Sequence, residues 1–293
     1  MARSMESSNT VGDRTQREFE GLLKHDRAVV VAALVFVIAV SWLYLMVGAG
    51  TGMSAFEMSS LSMAIGAPGG SSTGVPTTWT CAYAFLMFGV WWVMMIAMML
   101  PGAAPMILLF ALVNRRSHAK GRPYVPTVVF ASAYLVAWGG FSVIATALQW
   151  ELERAELLSS MMASSDAVLA GALLVLAGVY QLSPLKHACL RQCRGPIDFV
   201  SRHWQAGRRG AFRMGVHHGL YCVGCCWALM ALLFVGGAMN LYWIAVLALF
   251  VLLEKTAPPG HRLASLSGLG LVAWGVTLLV AVAQVPHRLN ALD

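Results

Sequence analysis

Long apolar runs separated by short polar segments dominate the chain. The runs cover residues 28–48, 81–113, 127–148, 167–182, 215–239, 241–256 and 266–285. Most are about as long as the 17 to 25 residues that a helix needs to cross a hydrocarbon core. A helix also satisfies its own backbone hydrogen bonds inside lipid. The pattern therefore predicts an all-α protein, a polytopic transmembrane helix bundle with about seven spans.

Individual runs carry further signals. Trp42 and Tyr44 close the first run, as expected for side chains that favour the membrane interface. The run 81–113 is too long for one perpendicular helix and holds Pro101 and Pro105, so we expect a tilted or kinked second span. The sixth span is the weakest prediction, because charged residues cut it short.

The distribution of basic residues predicts an orientation. From the N-terminal tail to the C-terminus, the segments between spans carry five, zero, four, one, seven, zero, two and one Lys or Arg, where the count of two includes Lys255 at the end of the sixth span. Because basic residues are enriched in cytosolic loops, the N-terminus and the loops 114–126, 183–214 and 257–265 are expected to be cytosolic. The C-terminus is then expected outside the cell membrane.

Composition agrees with this organisation. The chain is 58% hydrophobic and only 11% charged, whereas a soluble domain carries about a quarter charged residues. Residues 1–27 read as a polar cytosolic tail, 28–285 as the transmembrane domain and 286–293 as a short C-terminal tail. The net charge of +7 is spread over short loops, so we expect a lipid bilayer and no nucleic acid as partner.

The start of the fifth predicted span is rich in thiols and imidazoles. It contains His217, His218, Cys222, Cys225 and Cys226. At about 100° per residue, the three cysteines and His218 share one helix face, whereas His217 points elsewhere. Thiolate and imidazole ligands suit Cu(I) or Zn²⁺ much better than Mg²⁺ or Ca²⁺. The pattern favours a soft-metal site, with thiol redox chemistry or simple packing as alternatives.

A second thiol pair precedes this segment. Cys189 and Cys193 are spaced C-x-x-x-C, and they share a face if the segment is helical. The loop 183–214 leaves the fourth span and returns to the fifth at the same membrane side, so the two thiol groups can meet. We expect these two cysteines to capture or release the metal. Cys81, near the opposite end of the second span, is interpreted as structural.

Two further features add candidate ligands. Met94 and Met98 lie one turn apart in a methionine-rich part of the second span, and thioethers favour Cu(I), although methionine also fills gaps in helix packing. Glu254 and Lys255 close the sixth span, where charged side chains usually extend to the interface. Glu254 is alternatively a carboxylate ligand, a hydrogen-bond partner of His217 or His218, or a proton acceptor.

Four separated motifs, in order along the chain, resemble one bacterial family. They are W-x-V-M-M-x-A-M-M-L-P at 91–101, P-L-K-x-x-C-L-x-x-C-R at 184–194, H-G-x-x-C-x-G-C-C-W-x-L-M at 218–230 and E-K at 254–255. The family is that of the predicted metal-binding integral membrane proteins, a domain of unknown function. The resemblance covers most of residues 80–285 and implies metal binding without implying a reaction.

The sequence therefore predicts a multi-pass membrane protein that binds a soft transition metal, Cu(I) first and Zn²⁺ second. Its expected role is metal transport, buffering or insertion, with a metallochaperone or a membrane subunit as partner. The main alternative is an enzyme, either a membrane thiol oxidoreductase or a metal-dependent membrane enzyme that uses the same cysteines. A third interpretation is an assembly subunit that packs against a partner.

Overall fold

The chain forms helices throughout the part that the structure describes. The computed structural model describes residues 27–48, 79–118, 125–158, 163–164, 166–258 and 260–289, the last five by their backbone only. Its helices are α1 (Arg27–Met46), α2 (Cys81–His118), α3 (Thr127–Arg154), α4 (Ala167–Leu182), α5 (Pro184–Arg194), α6 (Pro196–His203), α7 (Gly207–Ala231), α8 (Leu233–Gly236), α9 (Leu241–Thr256) and α10 (Gly260–Leu289). The expected all-α fold is confirmed.

Several of these helices match the thickness of a membrane. In the described residues, five helical segments are long and apolar enough to cross one: Arg27–Met46, Cys81–His118, Thr127–Arg154, Gly207–Gly236 and Gly260–Gln284. Helices α4 and α5, bent by 65° at their junction, make a sixth if they are counted as one span. All seven predicted runs are helical, while seven crossings and the orientation of the termini stay predictions.

The observed boundaries differ from the predicted ones in the second half of the chain. Helix α7 begins at Gly207 rather than Gly215, and it ends at Ala231. The segment that we expected to be a loop, 183–214, is mostly helical. The residues outside the description include 1–26 of the N-terminal tail, most of the loop 49–80, residues 119–124 of the loop 114–126 and the last four residues of the chain.

Local capping explains why the loop between α4 and α7 is helical. Ser183 ends α4 and accepts a hydrogen bond from the Lys186 N–H (3.2 Å), and Pro184 occupies the first turn of α5. Ser is a favoured N-cap, and Pro is favoured at the first helical position, since its missing N–H is not needed there. Gly195 and Pro196 repeat this break before α6. The chain thus bends by 65° between α4 and α5, and α5 packs against α7.

Glycines allow α4 and α10 to pack backbone against backbone. A Cβ atom added at Gly178 would lie 2.6 Å from the carbonyl oxygen of Gly268, and one at Gly275 would lie 2.7 Å from that of Gly171. Small residues at helix contacts are characteristic of membrane bundles, where close approach of backbones supplies packing energy. This contact fixes α10 beside α4.

The outward surface of the bundle is apolar. Phe85 and Val47 are 76% and 70% exposed, and Val128 and Leu266 are each 67% exposed. Exposed apolar area of this extent is unfavourable in water. Together with the helix lengths, it is compatible with a membrane protein.

Substitution of a contact glycine tests the packing of α4 against α10. We expect Gly178→Ala to lower stability by about 1–3 kcal/mol, since the added carbon meets backbone atoms that cannot move aside. Gly140→Ala is the matched control, because no atom lies within 4 Å of its added carbon. Thermal unfolding midpoints in one detergent compare the two variants. A Gly178 variant as stable as the Gly140 variant would contradict the close approach.

Candidate metal centre

Helices α5 and α7 bring four cysteines together. Cys222, Cys225 and Cys226 are buried on α7, and Cys193 approaches from α5, with its Sγ 3.8 Å from the Sγ of Cys225. We call Cys193, Cys222, Cys225 and Cys226 the thiol cluster. Two thiolates on one tetrahedral ion, at metal–sulfur bonds of about 2.3 Å, lie about 3.8 Å apart. The separation across the two helices therefore suits a shared ion.

Three further side chains from other helices contact the cluster. Lys255 of α9 places Nζ 3.0 Å from the Sγ of Cys222, and Tyr134 of α3 places its hydroxyl oxygen at the same distance from that sulfur. Met99 of α2 places Sδ 3.7 Å from the Sγ of Cys226 and 3.8 Å from Lys255 Nζ. Five helices thus meet at one group of soft sulfur atoms.

The thiols of α7 are engaged in hydrogen bonds within their own helix. Cys225 and Cys226 both donate to the carbonyl oxygen of Cys222, at 3.1 and 2.9 Å. In this arrangement, no group of three or more His, Cys, Asp or Glu side chains among the described residues is set to hold a metal ion. A thiol must lose its proton to become a metal ligand. Binding therefore requires these two side chains to give up their carbonyl partner and turn toward the ion.

The two adjacent histidines occupy different environments. His218 is buried one turn before Cys222, among the rings of Phe130, Tyr134 and Phe199, and its Nδ1 has no hydrogen-bond partner among the described residues. A buried imidazole nitrogen without a partner is costly, and its lone pair can serve a metal. His217 packs on another face of α7, against His203 and Tyr221. The divergence predicted from helical spacing is thus observed.

The remaining candidate sulfur ligands, Cys189, Met94 and Met98, lie outside the thiol cluster. Cys189 is half-buried on α5, close enough to α7 that a Cβ at Gly224 would lie 2.9 Å from its Sγ. Met94 and Met98 are buried along α2. The thioether in contact with the thiol cluster is that of Met99, the residue that follows Met98 on the same helix.

Glu254 forms a buried ion pair beside the cluster. Both of its carboxylate oxygens accept hydrogen bonds from Lys186 Nζ, at 2.7 and 2.8 Å, and Gln181 Nε2 lies 3.3 Å from one of them. Lys186 is fully buried, Glu254 is 1% exposed and Lys255 is 7% exposed. The expectation that Glu254 and Lys255 extend to the interface was wrong, because each is drawn inward by an oppositely charged or soft partner.

Comparison with known proteins adds one positive finding. Residues 88–278 match the PpoB2 family, described as copper chaperone. The chain belongs to this family. No curated protein and no solved structure matches the chain.

Membership of the copper chaperone family agrees with the metal binding that the sequence resemblance implies. The matched region contains every candidate ligand, from Met94 to Glu254, and all of the thiol cluster. A metal-related family is thereby confirmed, and copper is the metal that the family description names. This indicates a copper-related function for the chain.

Sequence reasoning missed three contributors to the site. Met99, Tyr134 and Lys255 reach the cluster from α2, α3 and α9. A signal existed for the first, since Met99 lies in the methionine-rich part of the second span, and for the third, since Lys255 is part of the Glu-Lys motif. Nothing in the sequence marked Tyr134, because helical spacing gives the faces of one helix but not which face meets a neighbour.

Replacing Glu254 tests whether it acts as an ion-pair partner or as a ligand. Glu254→Gln leaves the Lys186 ammonium buried without its carboxylate, and we expect a loss of about 3–5 kcal/mol of stability. The double variant Lys186→Met with Glu254→Leu should recover most of that loss, because no charge is left unpaired. Thermal unfolding and copper content are measured on both variants. Loss of copper from a well-folded double variant would contradict the structural role and favour Glu254 as a ligand.

Proposed function

We propose that this chain is a membrane-embedded carrier of Cu(I), which binds the ion in the thiol cluster and passes it to a partner protein. The observation that carries the proposal is the 3.8 Å separation of Cys193 and Cys225 across two helices. Family membership supports copper, and the long apolar helices support a position in the membrane. Zn²⁺ is the second candidate ion, because it also accepts thiolate ligands.

The charge around the cluster favours a monovalent ion. Cu(I) held by two thiolates forms a complex of net charge −1, and a buried charge needs a nearby opposite charge. Lys255 supplies +1 with its ammonium 3.0 Å from Cys222. Zn²⁺ with the same two thiolates would be neutral and would leave the Lys255 charge uncompensated. Electrostatics thus ranks Cu(I) above Zn²⁺ for a two-thiolate complex.

Transfer of Cu(I) between proteins requires ligands that can be exchanged one at a time. Cys193 and Cys189 belong to α5, which is only 11 residues long, whereas the other three thiols are buried in the long helix α7. Because Cys189 is half-buried, it is the first ligand to bind an incoming ion or the last to release a departing one. His218, with its unpaired buried nitrogen, completes the inner donor set. Met94 and Met98 provide further thioether donors along α2, where Cu(I) binds transiently within the membrane.

The proposed carrier keeps the topology indicated by the sequence. Seven spans, with the N-terminus in the cytosol and the C-terminus outside the cell membrane, agree with the alternation of Lys and Arg counts. The weakest span, α9, has 16 residues and is about 24 Å long at 1.5 Å per residue, shorter than a core of about 30 Å. The partner is a metallochaperone or a membrane subunit that accepts or supplies the ion.

Copper content tests the proposal directly. The protein, purified without an affinity tag that binds metals, is loaded with Cu(I) under anaerobic conditions, and copper per chain is determined by elemental analysis. We expect about one Cu(I) per chain for the wild type and a loss of affinity of at least about tenfold, or 1.4 kcal/mol, for Cys193→Ser with Cys225→Ser. Cys81→Ser is the matched control, since that exposed thiol lies outside the cluster. Equal copper in the wild type and the double variant would refute the site.

A membrane thiol oxidoreductase is the second candidate function. Two sulfurs 3.8 Å apart can close to a disulfide bond of about 2.05 Å with a small movement. Alkylation mass shifts distinguish the two functions, because a carrier keeps free thiols through cycles of copper loading and removal. A disulfide between Cys193 and Cys225 that forms and is reduced in each cycle would favour the enzyme.

Substitution of Lys255 tests the charge argument. We expect Lys255→Met to weaken Cu(I) binding about tenfold, since the negative complex loses its counter-charge, and Lys255→Arg to retain most of the affinity. Competition with a Cu(I) chelator measures both. Tighter binding by Lys255→Met would contradict the argument and show that the ammonium competes with the ion.

A further inference from the structure

Two histidines on a different face of α5 form a second group of potential ligands. His187 of α5 and His261 of α10 approach each other with their Nδ1 atoms 3.2 Å apart. Neither residue belongs to the thiol cluster. On α5, His187 is rotated by about 200° from Cys189 and about 240° from Cys193, so nitrogen and sulfur ligands point to opposite sides of the helix.

The backbones that carry the two imidazoles are held together by independent contacts. Arg194, near the end of α5, donates to the carbonyl oxygens of Glu254 (2.8 Å) and Ala257 (2.5 Å), in the connection that leads to α10. The ion pair between Lys186 and Glu254 fixes the first turn of α5 against α9. The approach of the two rings is therefore a property of the helix framework.

The separation of the two nitrogens suits a metal ion. Two imidazoles bound to one tetrahedral ion, at metal–nitrogen bonds of about 2.0–2.1 Å, place their nitrogens about 3.3 Å apart. His261 is exposed and His187 is half-buried, so water or a ligand from another protein can complete the coordination shell. A hydrogen bond between two neutral imidazoles would have the same separation, and metal binding distinguishes the two cases.

We propose that His187 and His261 form a second metal-binding site for a divalent borderline ion such as Cu²⁺, Ni²⁺ or Zn²⁺, separate from the thiol cluster. Imidazole suits these ions, and Cu²⁺ binds such donors most tightly of the three. The Lys186 charge nearby is neutralised by Glu254, whereas the exposed Arg191, one turn further along α5, repels a cation. A two-histidine site beside this charge is expected to have moderate affinity.

Titration with Ni²⁺ alone tests this site, because Ni²⁺ prefers imidazole and does not oxidise thiols. Full-length protein without a histidine tag is titrated by calorimetry, as wild type and as the double variant His187→Ala with His261→Ala. We expect the double variant to lose one Ni²⁺ equivalent, or to bind it at least about tenfold more weakly. The matched control is His203→Ala with His217→Ala, which removes another pair of neighbouring histidines.

The outcomes separate this site from the copper proposal. Loss of Ni²⁺ binding in the first double variant alone, with Cu(I) content unchanged, supports the site. Equal Ni²⁺ binding by wild type and that variant, or equal loss in both double variants, would overturn it. Loss of Cu(I) together with Ni²⁺ would also overturn it, since the histidines would then support the thiol cluster. A wild type that binds Ni²⁺ here but no Cu(I) leaves this inference intact and removes the proposed function.

Discussion

The buried ion pair between Lys186 and Glu254 is the interaction on which the candidate site depends. It joins the first turn of α5 to the end of α9, and together with the hydrogen bonds of Arg194 to the carbonyl oxygens of Glu254 and Ala257 it holds Cys193 opposite Cys225. Taking two charges away from water is expensive, and the hydrogen bonds to both carboxylate oxygens offset much of that cost. The pair therefore sets the position of a helix more than it adds to net stability.

A second charged side chain, that of Lys255, follows Glu254 directly on α9 and contacts the thiol cluster. Glu254 turns toward α5 and Lys255 turns toward the sulfurs, since neighbouring residues on a helix point about 100° apart. Gly102 makes room for the lysine, because a Cβ there would lie 3.1 Å from the Lys255 stem. Of these two consecutive residues, one thus holds α5 and the other places its ammonium beside the thiols.

The sequence was sufficient for the seven long apolar helical runs and for part of the site, but not for α5 and α6, which lie in a segment expected to be a loop. Apolar run length located each described helix of the predicted bundle, and the spacing of Cys222, Cys225 and Cys226 placed them on one face. The sequence did not predict which side chains of different helices contact one another. Helical spacing does not say that Met99 rather than Met98 meets Cys226, nor that Lys255 turns inward, because the rotation of one helix against another depends on packing of the whole bundle.

The short helix α5 can move as one unit, because the helical backbone is broken at both of its ends. It lies between two breaks, Ser183-Pro184 and Gly195-Pro196, where the backbone changes direction without a continuous helical hydrogen-bond ladder. Such positions absorb rotation, while the 11 residues between them move as a rigid rod. Any swing of this rod carries His187, Cys189 and Cys193 together. A movement of α5 that opens the thiol cluster therefore also displaces His187, on a different face of the same helix.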